Sequence, residues 1–130
     1  MASVPDLAMT LDRWSFGDSP ALANALLALV LAGRKTATCW DARDGDKGTS
    51  VGYRSIVLDG GGNACAVLES VELQQCRFDD VDSDFAFDEG EGDRTLQAWR
   101  TAHRDYFVRN GHFAPNMLLF CERFRLVERL

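Results

Sequence analysis

Gly33-Arg34-Lys35-Thr36-Ala37-Thr38-Cys39-Trp40 is the stretch on which the reading of this chain turns. It closes the most apolar run of the sequence, Pro20 to Ala32, and opens a glycine-studded region rich in β-forming residues. Ser19-Pro20 is a strong helix start, a capping hydroxyl followed by proline at the first helical position. Gly33 is the residue type that stops a helix just past its C-cap. A helix over Ala21 to Ala32 follows, apolar around nearly its whole circumference and so expected to be largely buried. Arg34 and Lys35 would complement the negative end of its dipole. Beyond them the residue types change from helix formers to strand formers.

Working outward, Tyr53–Leu58 and Ala64–Leu73 read as two strands joined by Asp59-Gly60-Gly61-Gly62-Asn63, the clearest hairpin in the chain. Asp41–Gly52 is a polar, glycine-rich loop between them and the opening stretch. Upstream, Leu11–Asp18 is a lead-in whose Trp14 and Phe16 pack on the core. Downstream, Leu96, Trp99, His103, Tyr106 and Phe107 share one face of a helix expected over Arg94–Arg109, capped by Asp93 and closed by Asn110-Gly111. A last strand is expected to start within Asn116–Phe120 and to continue through Cys121–Val127. The order is helix, several strands, helix, strand. It specifies an α+β fold, a small curled sheet or barrel carrying two helices.

The 130 residues suit a single domain with a core built about residues 11–128. The first residues have neither the basic start nor the apolar centre of a secretion signal, and no apolar run approaches the roughly 20 residues of a membrane-spanning helix. A cytoplasmic location and no membrane partner are expected. Cys39, Cys65, Cys76 and Cys121 form no CxxC pair and sit at no ligand spacing with His103 or His112, so no metal site or disulfide framework is expected.

The net charge is −6, and eight of the 20 acidic residues lie between 79 and 93, a segment that contains no basic residue. An acidic chain is a poor non-specific binder of long polyanions, so no long duplex DNA partner is expected. Basic residues on either side of the acidic segment leave room for a small or short nucleic-acid ligand. Phe78, Phe85 and Phe87 argue that this segment docks on the body of the protein.

Three groups of residues carry candidate chemistry. Lys35 and Thr38 are a cation and a hydroxyl three residues apart in a turn. A threonine becomes a nucleophile when a neighbouring base takes its proton, and a lysine is that base when desolvation depresses its pKa. Glu89-Gly90-Glu91-Gly92-Asp93 places two glutamates in a tight turn, able to orient a lysine, to shuttle a proton or to hold a divalent ion. Trp40 and Tyr53 are aromatic surfaces for stacking on a base. The bland readings are a lysine complementing a helix dipole, carboxylates favouring a helix N-terminus, and aromatics packed in the core.

Taken together, Gly33-x-Lys35-x-x-Thr38, Trp14-x-Phe16-Gly17-Asp18, Glu89-Gly90-Glu91-Gly92-Asp93, Leu96-x-x-Trp99-Arg100-x-x-His103 and Cys121-Glu122-Arg123-Phe124 resemble the ASCH domain family, in its small single-domain bacterial branch. The resemblance implies a PUA-like β-barrel with flanking helices and an association with RNA. Some small bacterial members are amidohydrolases that deacetylate N4-acetylcytidine with a threonine, a lysine and a glutamate, which maps onto Thr38, Lys35 and Glu89, with Glu91 as the alternative carboxylate. Others are reported to cleave single-stranded RNA with a divalent metal, and many are presumed RNA binders. Many members carry a basic residue where this chain has Trp40, which points to a stacked base at that place. The ligand expected is therefore a nucleoside or short single-stranded RNA, met by Arg34, Trp40, Tyr53, Glu91 and Arg100. No cofactor is expected unless the chain is a metal-dependent ribonuclease.

Overall fold

The computed structural model describes residues 11–130; the reading of the N-terminal residues lies outside these. The elements are β1 (Arg13–Trp14), α1 (Pro20–Leu31), β2 (Ala37–Asp41), β3 (Arg54–Leu58), β4 (Ala64–Arg77), α2 (Ser83–Glu89), α3 (Leu96–Arg109) and β5 (Leu118–Arg129). The five strands form one sheet in the order β1-β3-β4-β5-β2. The β1–β3 pair is parallel and the other three pairs are antiparallel.

The long β4–β5 ladder is the spine of the fold. Its register shifts at Val67/Leu68 and again between Ser70 and Glu72. Such irregularities bend a strand and sharpen its twist, which curls the sheet towards a barrel. The hydrogen-bonded ladder does not close, because β1 and β2 remain its two edges. The α+β class and the barrel-like body agree with the sequence reading, and the open seam between the edge strands is what the structure adds.

Two apolar clusters flank the sheet. Leu26, Leu27 and Val30 of α1 pack with Phe16, Val57, Ala66, Leu68 and Phe124. Trp99 and Phe107 of α3 pack with Phe78, Phe85, Ala86, Leu119 and Cys121. The start of α1 is as expected, with Ser19 accepting a hydrogen bond from the Leu22 N–H and Pro20 at the first turn. Its burial is not. Only Ala23, Leu26, Leu27 and Val30 are buried, because alanines occupy the outward face and leave little apolar area to hide.

Three features differ from the sequence reading. The acidic segment holds a helix, α2, whose Asp82 side chain caps the Phe85 N–H and whose Phe85 and Ala86 face the core. Seven residues rich in acid carry too little periodicity to announce a helix. Phe87, expected to dock, is 52% exposed under the Arg94 guanidinium. The cap of α3 is Thr95, not Asp93, because Arg94 lies in the left-handed region at φ 67° and cannot be helical. Asp93 instead accepts from the N–H and hydroxyl of Thr95.

All four cysteines are free thiols. Among the described residues, no helix is long and apolar enough to cross a membrane.

Candidate active site

The turn after α2 and the stretch after α1 meet. Gly90 sits at φ 74°, and a Cβ there would lie 2.3 Å from the Arg34 carbonyl oxygen. Only glycine allows this approach of one backbone to the other. The contact is pinned from both sides. Arg34 donates to the carbonyls of Gly90 and Gly92 at 2.8 and 2.7 Å, Arg94 donates to those of Phe87 and Arg34, and the Thr36 N–H donates to the Asp88 carbonyl. The cations of Arg34 and Lys35 are therefore committed to residues 89–92 and not to the end of α1. Arg34, expected to bind substrate, is a buttress of this turn. Arg100 is exposed on α3 and lines no cavity beside the site.

The contact brings Lys35 between two carboxylates. Its Nζ lies 3.0 Å from Glu89 Oε1 and 3.1 Å from Glu91 Oε2. Lys35 and Glu89 are 2% and 1% exposed. The other Glu89 oxygen accepts from Trp99 Nε1 at 2.5 Å and from the Cys39 thiol at 3.3 Å, and lies 3.2 Å from His103 Nε2. His103 stacks on Trp99, and its Nδ1 lies 2.9 Å from the Trp99 carbonyl oxygen. Both ring nitrogens thus face acceptors, an environment that favours the imidazolium. Such a group of buried charges is tolerable only when nearly every donor and acceptor is used, as here.

The charge states follow. Burial would lower the Lys35 pKa, but Glu89 and Glu91 outweigh it and hold it above its ordinary value. Burial would raise Glu89, but Lys35, His103 and Trp99 hold it well below the usual carboxylate range. Burial would lower His103, and Glu89 reverses that. The expected desolvated, neutral lysine is replaced by an ammonium, because desolvation came with two anions.

Thr38 stands where two cavities meet. The first, about 250 Å³, is lined by Lys35, Glu89, Glu91 and His103. The second, about 330 Å³, is lined by Trp14, Trp40, Lys47, Tyr53 and Glu122. Phe16, Gly17, Thr38, Cys39 and Tyr106 border both. The second cavity fills the open seam, with Arg13 and Trp14 of β1 on one side and residues 38–40 of β2 on the other. Among the described residues, the Thr38 hydroxyl makes no hydrogen bond, so it is available to a ligand. Trp40 stacks on Phe120 and donates to the Gly45 carbonyl; Tyr53 donates to Asp12. The structure thus brings Lys35, Thr38, Glu89, Glu91, Trp40 and Tyr53 to one cleft.

Sequence reasoning took His103 and Trp99 only as members of an apolar helix face and did not connect Cys39 with the site. The i, i+4 pairing of a ring N–H donor with a histidine was the available signal. Cys39, Glu89 and His103 offer three ligand atoms within 4.8 Å of one another. A thiol, an imidazole and a carboxylate suit zinc better than magnesium or manganese, which prefer oxygen. Here, however, the thiol, both ring N–H groups of Trp99 and His103, and Lys35 all converge on Glu89 as donors, the pattern of a satisfied carboxylate.

The sequence profile described as the ASCH domain matches residues 12–128. An ASCH domain from Lactobacillus crispatus JV V101 is 31% identical, with a TM-score of 0.83 over 95% of this chain and 84% of that one. A protein from Enterococcus faecalis V583 is 32% identical, with a TM-score of 0.80 over 91% of this chain and 77% of that one. No curated protein matches this sequence.

Proposed function

This chain belongs to the ASCH domain family, and on that premise we propose that it is a cytosolic hydrolase of a modified pyrimidine nucleoside, most concretely one that deacetylates N4-acetylcytidine. The observation that carries the reading is the Lys35 ammonium, buried between Glu89 and Glu91 yet bordering a cavity that it shares with Thr38. Buried charges beside a cleft are characteristic of sites with work to do.

Thr38 Oγ1 attacks the amide carbonyl carbon, and the tetrahedral oxyanion forms beside the Lys35 ammonium. Lys35 starts protonated, so it acts as a relay. It gives a proton to a neighbouring carboxylate as it receives the one leaving Thr38. Both oxygens of Glu89 are engaged, and it serves to hold Lys35 and His103. Glu91, whose side chain is 24% exposed, is the carboxylate able to pass the proton outward to the departing N4 amine. The C–N bond breaks to give cytidine and an acetyl ester on Thr38. Water adds to the ester, its proton follows the same relay, and acetate and free Thr38 are released.

The test is chromatography of N4-acetylcytidine incubated with the protein, with and without EDTA, beside labelled single-stranded RNA under the same conditions. The expected result is cytidine and acetate, unaffected by EDTA, with intact RNA. EDTA-sensitive RNA cleavage, or binding without any product, would replace this reading with a ribonuclease or a nucleobase reader.

A further inference from the structure

Glu122 has no task in the chemistry above. It is 9% exposed and lines the seam cavity, and among the described residues it has no ion pair; the Ser70 hydroxyl is the polar group beside it. A largely buried carboxyl without a counter-ion is costly in its ionised form. Groups placed against the local rule without compensation are expected where function requires them. Its position is specific. Glu122 on β5 is the direct cross-strand partner of Thr38 on β2, so the two Cβ atoms lie about 5 Å apart on one face of the sheet. Two residues along each strand, Trp40 stacks on Phe120. The face therefore presents, side by side, the Thr38 hydroxyl, a carboxyl, and an aromatic floor.

We propose that Glu122 reads the polar edge of the substrate's pyrimidine, accepting a hydrogen bond from the exocyclic N4–H and donating one from its acid form to ring N3. This rests on the amidohydrolase reading, in which the same N4 carries the acyl group that Thr38 attacks. An N4-acylated cytosine still offers one N–H donor beside one ring acceptor, and a neutral carboxyl complements that pair with both oxygens. An ionised carboxylate, having two acceptors and no donor, instead complements the two adjacent donors of guanine. Burial pushes the Glu122 carboxyl above its usual range, with the facing Ser70 hydroxyl opposing the rise, which favours the acid form. The Ser70 hydroxyl is itself buried and lacks a hydrogen-bond partner of standard geometry. The neighbouring Tyr53 hydroxyl is occupied by Asp12, and Glu122 is the carboxyl of this wall directly across the strand from Thr38.

The experiment has a binding arm and a turnover arm. In the first, tryptophan fluorescence of the wild-type chain is titrated with cytidine, 3-deazacytidine (which lacks the ring acceptor), N4,N4-dimethylcytidine (which lacks the donor) and guanosine. Cytidine should bind about ten- to a hundredfold tighter than either pyrimidine analogue. Glu122→Leu should reduce cytidine to the level of the analogues. Glu122→Gln, whose amide offers the same donor and acceptor, should keep most of the preference. In the second arm, kcat/KM for N4-acetylcytidine should fall with Glu122→Leu and be largely rescued by Glu122→Gln.

Equal binding of cytidine and 3-deazacytidine, a preference for guanosine, or an unchanged preference in Glu122→Leu would overturn the assignment, as would the absence of nucleoside binding. Turnover of N4-acetylcytidine without a cytidine preference would remove Glu122 from recognition and leave the hydrolase standing. A cytidine preference that depends on Glu122, without any turnover, would support the recognition role and remove the hydrolase.

Discussion

Glu89 and Glu122 are both largely buried, both belong to the walls beside Thr38, and their carboxyl pKa values are pushed in opposite directions. Glu89 is surrounded by Lys35, His103, Trp99 and Cys39 and is held ionised. Glu122 faces a cavity lined by Trp14, Trp40, Lys47 and Tyr53, has no ion pair among the described residues, and has its pKa pushed up by burial. Burial is common to both, so the partners decide the charge. The difference divides the cleft into a charged half suited to moving protons and an aromatic half suited to holding a base, with Thr38 at the boundary.

The largest effect separating the halves is expected from Lys35→Met. It takes the Lys35 ammonium from buried Glu89, leaving His103 as its remaining cationic partner, and should lower stability by about 3–5 kcal/mol, read by urea denaturation. Glu122→Leu, which removes a largely buried carboxyl that has no counter-ion among the described residues, should leave stability unchanged or raise it. If both variants are equally destabilised, the contrast between the two carboxyls is wrong.

Gly90→Ala comes next. It adds a Cβ against the Arg34 carbonyl at a left-handed φ, and strain of this kind costs about 1–3 kcal/mol. Because the turn presents both Glu89 and Glu91 to Lys35, the variant should lose activity out of proportion to its loss of stability. An active Gly90→Ala would mean that the turn does not need this geometry.

A smaller effect lies in the pH dependence of stability. Glu89 has a lowered folded pKa, so its contribution is present above the ordinary 4.5 and is lost as pH falls through the lower folded value. Glu122 has a raised folded pKa, so its contribution is present below 4.5 and is lost as pH rises through the folded value. Glu122→Gln should therefore flatten the stability profile just above pH 4.5, and Glu89→Gln should flatten it on the acid side. Thermal melts across pH 2 to 8 check both signs, about either side of the reference value. The smallest effect concerns the exposed pairs of Glu69 with Arg54 and Arg125: Arg54→Ala should produce no measurable shift, since surface pairs contribute little.

The fold was largely legible from residue patterns, since Ser19-Pro20, Gly33 and the Asp59–Asn63 turn mark boundaries by local chemistry. The helix in the acidic segment was hidden because its seven residues fold through a cap and two buried side chains, not through an amphipathic stripe. Lys35, Thr38 and Glu89 were visible as candidates, but the charge of Lys35 was not. That depends on residues 54 and 56 positions away along the chain. His103 was concealed inside an apolar pattern because it stacks on Trp99 while its nitrogens serve Glu89. Arg34 and Arg100 show the reverse error, where positive charge near a site suggested ligand contact and the backbone claimed one of them.

Thr38, at the boundary of the two halves, is the proposed nucleophile. The most direct test is kcat/KM for N4-acetylcytidine in wild type, Thr38→Ser and Thr38→Ala, with folding checked by thermal melt. Thr38→Ala should lose roughly a thousandfold or more while Thr38→Ser keeps measurable turnover. Thr38→Ala turning over at a rate close to wild type would contradict the account.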